Sequence, residues 1–411
     1  MNPLSSVPRM RSLCLRAVAL AALGLFVGPA IGRAQKASGP GVSTGEIRIG
    51  HIVSDAGWAS AYRVVGRAEA AYFRMINDQG GIGGRTIRFV TATVGPGASG
   101  PLEAARQLVE EDDVLLVFSP IGTETNLAIR PYLNERHVPQ LFVESSSAAF
   151  DDPARFPWTM GFFATYRTEG RLYAAYVLKN RPEARIAILS SDNATGREFV
   201  EGVRDGLADK APAMIVKERT YRPEDATIEP ELQALKASGA DVFFNFTLGT
   251  FVTQAIRKSY DLDWHPLEFI PNASLSTAAF LDPAGLEKAR GLIANARSKS
   301  WIGLQAESDP AVRVFLAWMK KYNPEGSLRD QNYVAGYERA QALVEVLRKC
   351  GDTLTRANVM RQAADLDLGL GMLRPGIRIR TSPSDYQPIK ELFLVRFDGK
   401  AWDPLGPPAG R

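Results

Sequence analysis

Residues 46–93 read EIRIGHIVSDAGWASAYRVVGRAEAAYFRMINDQGGIGGRTIRFVTAT. Apolar residues alternate at the start of this segment, which predicts a strand over Glu46–Val53, and they recur at helical spacing over Ala61–Asn77. The glycine-rich run after this helix ends it, and a second extended pattern covers Arg85–Thr93. A strand, a helix and a strand in this order predict a βαβ unit with parallel strands.

The same alternation continues along the chain in two series. The first adds helix Pro101–Glu111, strand Val114–Phe118, helix Thr125–Arg136 and strand Gln140–Val143. The second comprises helix Thr168–Asn180, strand Arg185–Leu189, helix Gly196–Ala208, strand Met214–Thr220, helix Glu229–Ser238, strand Asp241–Phe246 and helix Thr250–Tyr260. The sequence therefore predicts an α/β fold built from two Rossmann-like units in tandem.

The first 34 residues have the features of a secretory signal peptide. Three arginines precede an apolar stretch over Ala17–Ile31, and small residues at Gly32-Arg33-Ala34 suit a cleavage site. The apolar stretch has about 15 residues, fewer than the ~20 that span a bilayer. We therefore predict removal of residues 1–34 and export of the mature chain.

Charge and cysteine content exclude several function classes. The leader contains four arginines and no acidic residue, so the formal net charge of +4 belongs to it and the mature chain is balanced. A balanced chain does not favour electrostatic capture of nucleic acid or of an anionic membrane. Cys14 leaves with the leader, and Cys350 alone can form no intramolecular disulfide.

The mature chain carries a series of short motifs in a fixed order. They are IRIG (47–50), ASAY (59–62), AEAAYF (68–73), MINDQGGIGG (75–84), GTETN (122–126), VPQLF (138–142), FPWTMG (156–161), ASGADV (237–242), LTRANVM (354–360) and DYQPIK (385–390). In this order they resemble the bacterial periplasmic solute-binding proteins of the branched-chain-amino-acid type, a leucine-binding-protein-like family that delivers ligands to ABC importers.

The resemblance implies the type I periplasmic binding protein fold, in which two lobes joined by a three-crossing hinge close on a ligand. We expect crossings near Phe162–Tyr166, Ala294–Arg297 and Leu373–Ile379. The first lobe is then predicted over 44–164 with 295–375, and the second over 165–294 with 376–411.

Ligands of open parallel sheets bind beyond the carboxyl ends of the strands. Gly122 and Thr123 follow a predicted strand and precede a helix, so unpaired N–H groups and the helix dipole favour a carboxylate there. The resemblance also implies that Thr123 binds the ligand carboxylate. The alternative is that Thr123 or Thr125 only caps its own helix.

Further candidates lie in two other loops of the first unit. The resemblance implies that Ser145 and Ser146, within Glu144–Ser147, contact the same end of the ligand. Adjacent serines are also common in turns. Trp58 either stacks on the ligand or packs against its own lobe.

In the second unit, the resemblance implies ligand contacts from Thr195, Thr247 and Asn272. No residue matches the acidic group that holds the α-ammonium of amino acids in the family, and Asp55 or Glu144 is the alternative source of that charge. We therefore predict a small carboxylate ligand, either an amino acid or an aromatic or other organic acid.

Enzyme classes are not favoured by the sequence. The loops after the strands are rich in Ser, Thr, Gly and Asn, and the chain has no nucleophile elbow, phosphate loop or zinc-ligand spacing. We predict no catalysis, no metal and no cofactor. The predicted role is that of a monomeric periplasmic subunit whose partners are its ligand and an ABC permease, with no nucleic acid. A secreted ligand-sensing receptor component of the same fold is the alternative.

Overall fold

A computed structural model describes residues 39–54, 57–95, 100–302 and 308–406, without the side chain of Trp58. The predicted signal peptide lies outside these residues, as does Asp55. Within the described part of the chain, no helix combines the length and the apolar character that crossing a bilayer requires.

The strands form two main sheets and one small ribbon. In chain order they are β1 Glu46–Ser54, β2 Thr86–Val94, β3 Leu116–Phe118, β4 Gln140–Leu141, β5 Thr159–Met160, β6 Ile186–Ser191, β7 Ile215–Tyr221, β8 Val242–Phe246, β9 Leu267–Phe269, β10 Ile293–Ala296, β11 Asp367–Leu368, β12 Ile379–Arg380, β13 Phe393–Phe397 and β14 Trp402–Pro404. The first sheet has the order β2-β1-β3-β4-β5, the second β14-β13-β10-β9-β8-β6-β7, and β11 pairs with β12.

The two sheets share one topology. All neighbours in the first sheet are parallel, and the order β7-β6-β8-β9-β10 repeats that arrangement with parallel strands in the second. Strands β13 and β14 extend the second sheet in antiparallel pairing. The predicted α/β class and the predicted parallel pairing are therefore confirmed, and the hairpin β13–β14 was not predicted.

Helices cover both sheets. They are α1 Arg63–Asp78, α2 Pro101–Arg106, α3 Thr123–Glu135, α4 Tyr166–Asn180, α5 Ala194–Leu207, α6 Ala211–Met214, α7 Glu229–Lys236, α8 Thr250–Asp261, α9 Asp282–Ala284, α10 Leu286–Ala289, α11 Pro310–Tyr322, α12 Asn332–Lys349 and α13 Arg356–Ala363. A 3-10 turn over Gly57–Tyr62 precedes α1, and a π-helical turn over Gln107–Glu111 extends α2.

Several predicted boundaries are displaced by one or two residues, and two of these displacements have a clear local reason. Strand β4 ends at Leu141 and not at Val143, because Phe142 adopts a positive φ of 53° that takes the backbone out of the extended conformation. Helix α4 begins at Tyr166, two residues early, because Thr165 caps it by accepting a hydrogen bond from the Thr168 N–H at 3.1 Å.

Candidate functional site

Loops that follow strands of both parallel sheets enclose a cavity of about 170 Å³. A cavity of ~150 Å³ is large enough to hold benzene, so this one fits a compact organic ligand. Most of its lining comes from the segments that follow β3, β4, β6, β8, β9 and β10, together with the start of α12. This is the carboxyl-end position at which ligands of open parallel sheets bind.

The amino end of α3 opens into the cavity. Gly122 is the N-cap residue and adopts φ of 97°, a conformation that favours glycine, and no side chain caps the helix. The first N–H groups of α3 therefore have no capping side chain, and with the helix dipole they favour a bound anion. The hydrogen bonds of the Thr123 hydroxyl go to Ser145 and Thr195 and not to the helix backbone.

Hydroxyl groups from both sheets meet at this helix end. Thr123 Oγ1 and Ser145 Oγ share a hydrogen bond of 2.8 Å, and Thr195 Oγ1 donates to Thr123 Oγ1 at 3.0 Å. Burial raises the pKa of the neighbouring Tyr166 phenol, and its hydrogen bonds with Thr123 and Ser145 oppose that rise. All four residues are more than nine-tenths buried. Three of the predicted site residues are thus in direct contact.

Thr195 reaches this cluster from the first turn of α5. Asn193 caps α5 by accepting a hydrogen bond from the Gly196 N–H at 3.2 Å. Helices α4 and α5 cross closely, because a Cβ atom on Gly202 would lie 2.2 Å from the carbonyl oxygen of Arg167. The hydrogen bond between Thr195 and Thr123 joins the first turns of α5 and α3, and both helix dipoles favour negative charge there.

Three other predicted residues also line the cavity, namely Gly122, Ser146 and Asn272. The Asn272 amide is engaged on both sides: Nδ2 donates to the carbonyl of Asn295 at 2.7 Å, and Oδ1 accepts from Arg297 Nη1 at 3.0 Å. Asn272 therefore lines the cavity and also positions the side chain of Arg297.

Two predicted residues are not placed in the cavity. Thr247 is fully buried, its hydroxyl donates to Asn245 Oδ1 at 2.6 Å, and the next residue, Leu248, is the one that lines the cavity. Side chains of consecutive extended residues point to opposite sides, which accounts for this one-residue displacement. Trp58 belongs to the 3-10 turn before α1, and its side chain lies outside the described part of the chain.

Basic side chains line another part of the cavity, at the segments around Arg297 and Arg374. Arg297 Nε donates to Glu338 Oε2 at 3.3 Å, and Lys299 Nζ donates to Asp309 Oδ2 at 2.7 Å. Two of these three cations are therefore neutralised within the protein. None of the three was predicted as a ligand-binding residue.

The carboxylate of Glu144 lines the cavity but forms an ion pair with Arg339. Arg339 is fully buried and also donates from Nε to Glu69 Oε1 at 3.1 Å. Burial raises the pKa of Glu69 to about 8, and the positive charge of Arg339 opposes that rise. Glu144 is thus already paired with an arginine, and Asp55, the other predicted source of negative charge, lies outside the described residues.

Much of the remaining lining is aromatic, and sequence reasoning did not identify it. These residues are Tyr62, Phe163, Tyr166, Tyr221, Phe251, Trp301 and Trp402. Tyr62 belongs to the ASAY motif, which is the one available sequence signal. Its hydroxyl accepts a hydrogen bond from the Gly249 N–H at 3.3 Å, so it also links the segment before α1 to the start of α8.

Metal-binding chemistry has no support among the described residues, where no group of three or more His, Cys, Asp or Glu side chains is arranged to hold an ion. The cavity instead offers hydroxyl groups, helix amino ends, arginines and aromatic rings. This combination suits reversible binding of an anionic organic molecule.

The sequence model of the family described as periplasmic binding protein matches residues 46–401. The chain belongs to this family. A branched-chain amino acid ABC transporter protein from Thermus thermophilus with bound valine has a TM-score of 0.77 and 15% identity, and the match covers 90% of this chain and 98% of that one. No curated protein matches the sequence.

Two further solved structures have the same fold. A solute-binding protein from Rhodopseudomonas palustris in complex with 3,4-dihydroxybenzoic acid has a TM-score of 0.71 and 18% identity, over 89% of this chain and 97% of that one. A fatty acid ABC transporter substrate-binding protein from Thermomonospora curvata has a TM-score of 0.73 and 16% identity, over 91% and 95%. The periplasmic binding protein described here therefore has the same fold as these three solved structures.

Proposed function

We propose that this periplasmic binding protein is the substrate-binding subunit of an ABC importer and that it captures a small carboxylate-bearing ligand between two lobes. The ligand is an amino acid or an aromatic or other organic acid. The protein has no catalytic role, is monomeric, and delivers its ligand to the transmembrane subunits of a permease. It reaches the periplasm by means of a cleaved signal peptide over residues 1–34.

The observation that carries this proposal is the convergence of Thr123, Ser145 and Thr195 at the amino ends of α3 and α5. Two helix dipoles and a cluster of hydroxyl donors favour the same charge at the same place. A carboxylate accepts several such hydrogen bonds at once, and hydrogen bonds to charged groups are stronger than neutral ones.

We propose that the lobes comprise 44–164 with 295–375, and 165–294 with 376–411. The two repeated sheets support this division. Three contacts connect the first sheet's loops to helices of the second: Thr195 to Thr123, Gly249 to Tyr62, and Glu198 to Ser147 and Ala148. Contacts of this kind favour a closed form that a permease can distinguish from an open one.

A ligand screen tests the proposal. The mature protein is unfolded, freed of ligand and refolded, and then its melting temperature is measured with amino acids, aromatic acids, aliphatic acids and the corresponding primary amides. A ligand at about 100 times its dissociation constant adds ~2.7 kcal/mol to the free energy of unfolding. We expect acids to stabilise the protein and their amides not to. Equal stabilisation by acids and amides would contradict the carboxylate site.

Transport itself requires a separate experiment. Deleting the gene should abolish uptake of the radiolabelled acid selected by the screen, and a Thr123→Val copy should restore it poorly compared with the wild type. Uptake that is unaffected by deletion, combined with loss of a transcriptional response to the acid, would favour the sensor role instead.

A further inference from the structure

Arg374 differs from the other cations of the cavity because it has no ion-pair partner. Within the described part of the chain, no carboxylate lies within ion-pair distance of its guanidinium, whereas Arg297 and Lys299 are paired with Glu338 and Asp309. Arg374 lines the cavity and is only 8% exposed. Its Nε is buried without a hydrogen-bond partner.

A buried and unpaired guanidinium is costly. Burial lowers the pKa of Arg374, and the exposed Asp403 attracts it only from a distance. The ring of Phe393 lies 5.5 Å from the guanidinium carbon and provides a weak cation–π contact. A buried charge normally requires a paired and hydrogen-bonded counterion, which neither group supplies.

The cavity holds another unused donor. The Nδ2 atom of Asn332, which also lines the cavity, is buried without a partner. The backbone N–H of Arg374 donates to the backbone carbonyl of Arg297 at 2.8 Å, so the two arginines lie on adjacent segments of the chain. The cavity therefore presents an unpaired guanidinium and an amide donor that are not part of the hydroxyl cluster at α3 and α5.

We propose that Arg374, assisted by Arg297 and Asn332, forms a second anion site and that the ligand is a dicarboxylate held at both ends. This inference rests on the proposed function, because the first carboxylate is the one bound at Thr123, Ser145 and Thr195. The second carboxylate pairs with the buried guanidinium of Arg374 and accepts from the amide of Asn332. The aromatic lining contacts the part of the ligand between the two acids.

Matched acids provide the test. Calorimetric dissociation constants are measured for terephthalate, its monomethyl ester and benzoate, and for adipate and hexanoate. Within each set the acids have similar shapes and differ in whether they carry a second carboxylate. We expect at least one dicarboxylate to bind at least tenfold more tightly than its matched monoacid, and added salt to reduce that preference.

Variants then assign the preference to Arg374. In Arg374→Met the ratio between monoacid and diacid dissociation constants should fall below about threefold. Arg378→Met is the control, because Arg378 lies four residues along the same segment, is half-exposed and pairs with Asp367. If Arg374→Met does not fold, Arg374→Lys is measured, and its ratio should still fall by threefold or more.

The outcomes separate this inference from the proposed function. Equal binding of diacids and monoacids by the wild type, or an unchanged ratio in the Arg374 variants, would overturn the second anion site and leave the first intact. Absence of binding by every acid would instead overturn the proposed carboxylate function, and with it the inference. A purely structural Arg374 would lower the melting temperature of the variant without changing the ratio.

Discussion

Replacing Thr123 by valine should weaken carboxylate binding by roughly 10- to 150-fold. The substitution keeps the shape of the side chain and removes Oγ1, which is hydrogen bonded to Ser145 and accepts from Thr195. A hydrogen bond to a charged group contributes about 1.5–3 kcal/mol, and ~1.4 kcal/mol corresponds to a factor of ten in affinity. The valine would in addition leave the Thr195 hydroxyl without its acceptor in the closed form.

Folding should be affected much less than binding. Ser145 Oγ keeps its hydrogen bond from the Ser147 N–H at 3.2 Å, so we expect the free energy of unfolding to fall by only about 1 kcal/mol. Isothermal titration and urea denaturation measure the two quantities on the same sample. Thr125→Val is the matched control, since Thr125 lines the same cavity but is not part of the hydroxyl cluster.

The affinities of the two variants test whether the carboxylate binds at the hydroxyl cluster. Affinity within twofold of the wild type in a folded Thr123→Val protein would show that the carboxylate does not bind at the hydroxyl cluster. A larger loss in Thr125→Val than in Thr123→Val would move the site along α3.

Three other predictions concern closure, stability and specificity. Glu198→Ala removes the hydrogen bonds from Ser147 and Ala148 that join α5 to the loop after β4, so the dissociation constant of the ligand should rise about 5- to 30-fold. Glu201 is exposed on the same helix, and Glu201→Ala should raise the dissociation constant less than twofold. Burial raises the pKa of Glu268 to about 7 from 4.5, so the ionised folded state is penalised and stability declines as pH rises between these values. Glu268→Gln should therefore match the wild type near pH 4.5 and exceed it by up to about 3 kcal/mol at pH 8 in urea denaturation, and no gain at pH 8 would refute the shift. Finally, a deaminated acid should displace its parent amino acid in competition titrations. Equal affinities would refute the inference that Glu144, because it is paired with Arg339, does not bind a ligand ammonium group.

Local patterns were sufficient to predict most of the architecture. Apolar alternation over Glu46–Val53 and helical spacing over Ala61–Asn77 correspond to β1 and α1 within two residues, because each pattern records which side of one element is buried. The same reasoning located the loops after the strands, and the resemblance then selected Thr123, Ser145 and Thr195, which contact one another. Phe142 shows where prediction from local patterns fails, since nothing in VPQLF indicates its positive φ.

The charged part of the site could not be predicted in this way. Arg339 is 270 residues from Glu69 along the chain, and in the sequence it is simply one polar position of a helix. Its pairing with Glu144 depends on how α12 packs against α1 and the loop after β4. Arg374 is equally unmarked, because its segment has no regular periodicity and its surroundings are defined only by the tertiary structure.

These buried charges bear directly on whether the ligand carries an ammonium group. Burial raises the pKa of Glu69, which disfavours its ionised form, and Glu144 forms an ion pair with Arg339. The pair then offers no net negative charge to an ammonium group. Withdrawing Glu144 from Arg339 would cost about 3–5 kcal/mol, the range for breaking a buried pair, and an ammonium contact at the edge of the cavity would recover only part of it. With the unpaired Arg374 also lining the cavity, the electrostatics favour an acid without an ammonium group over an amino acid.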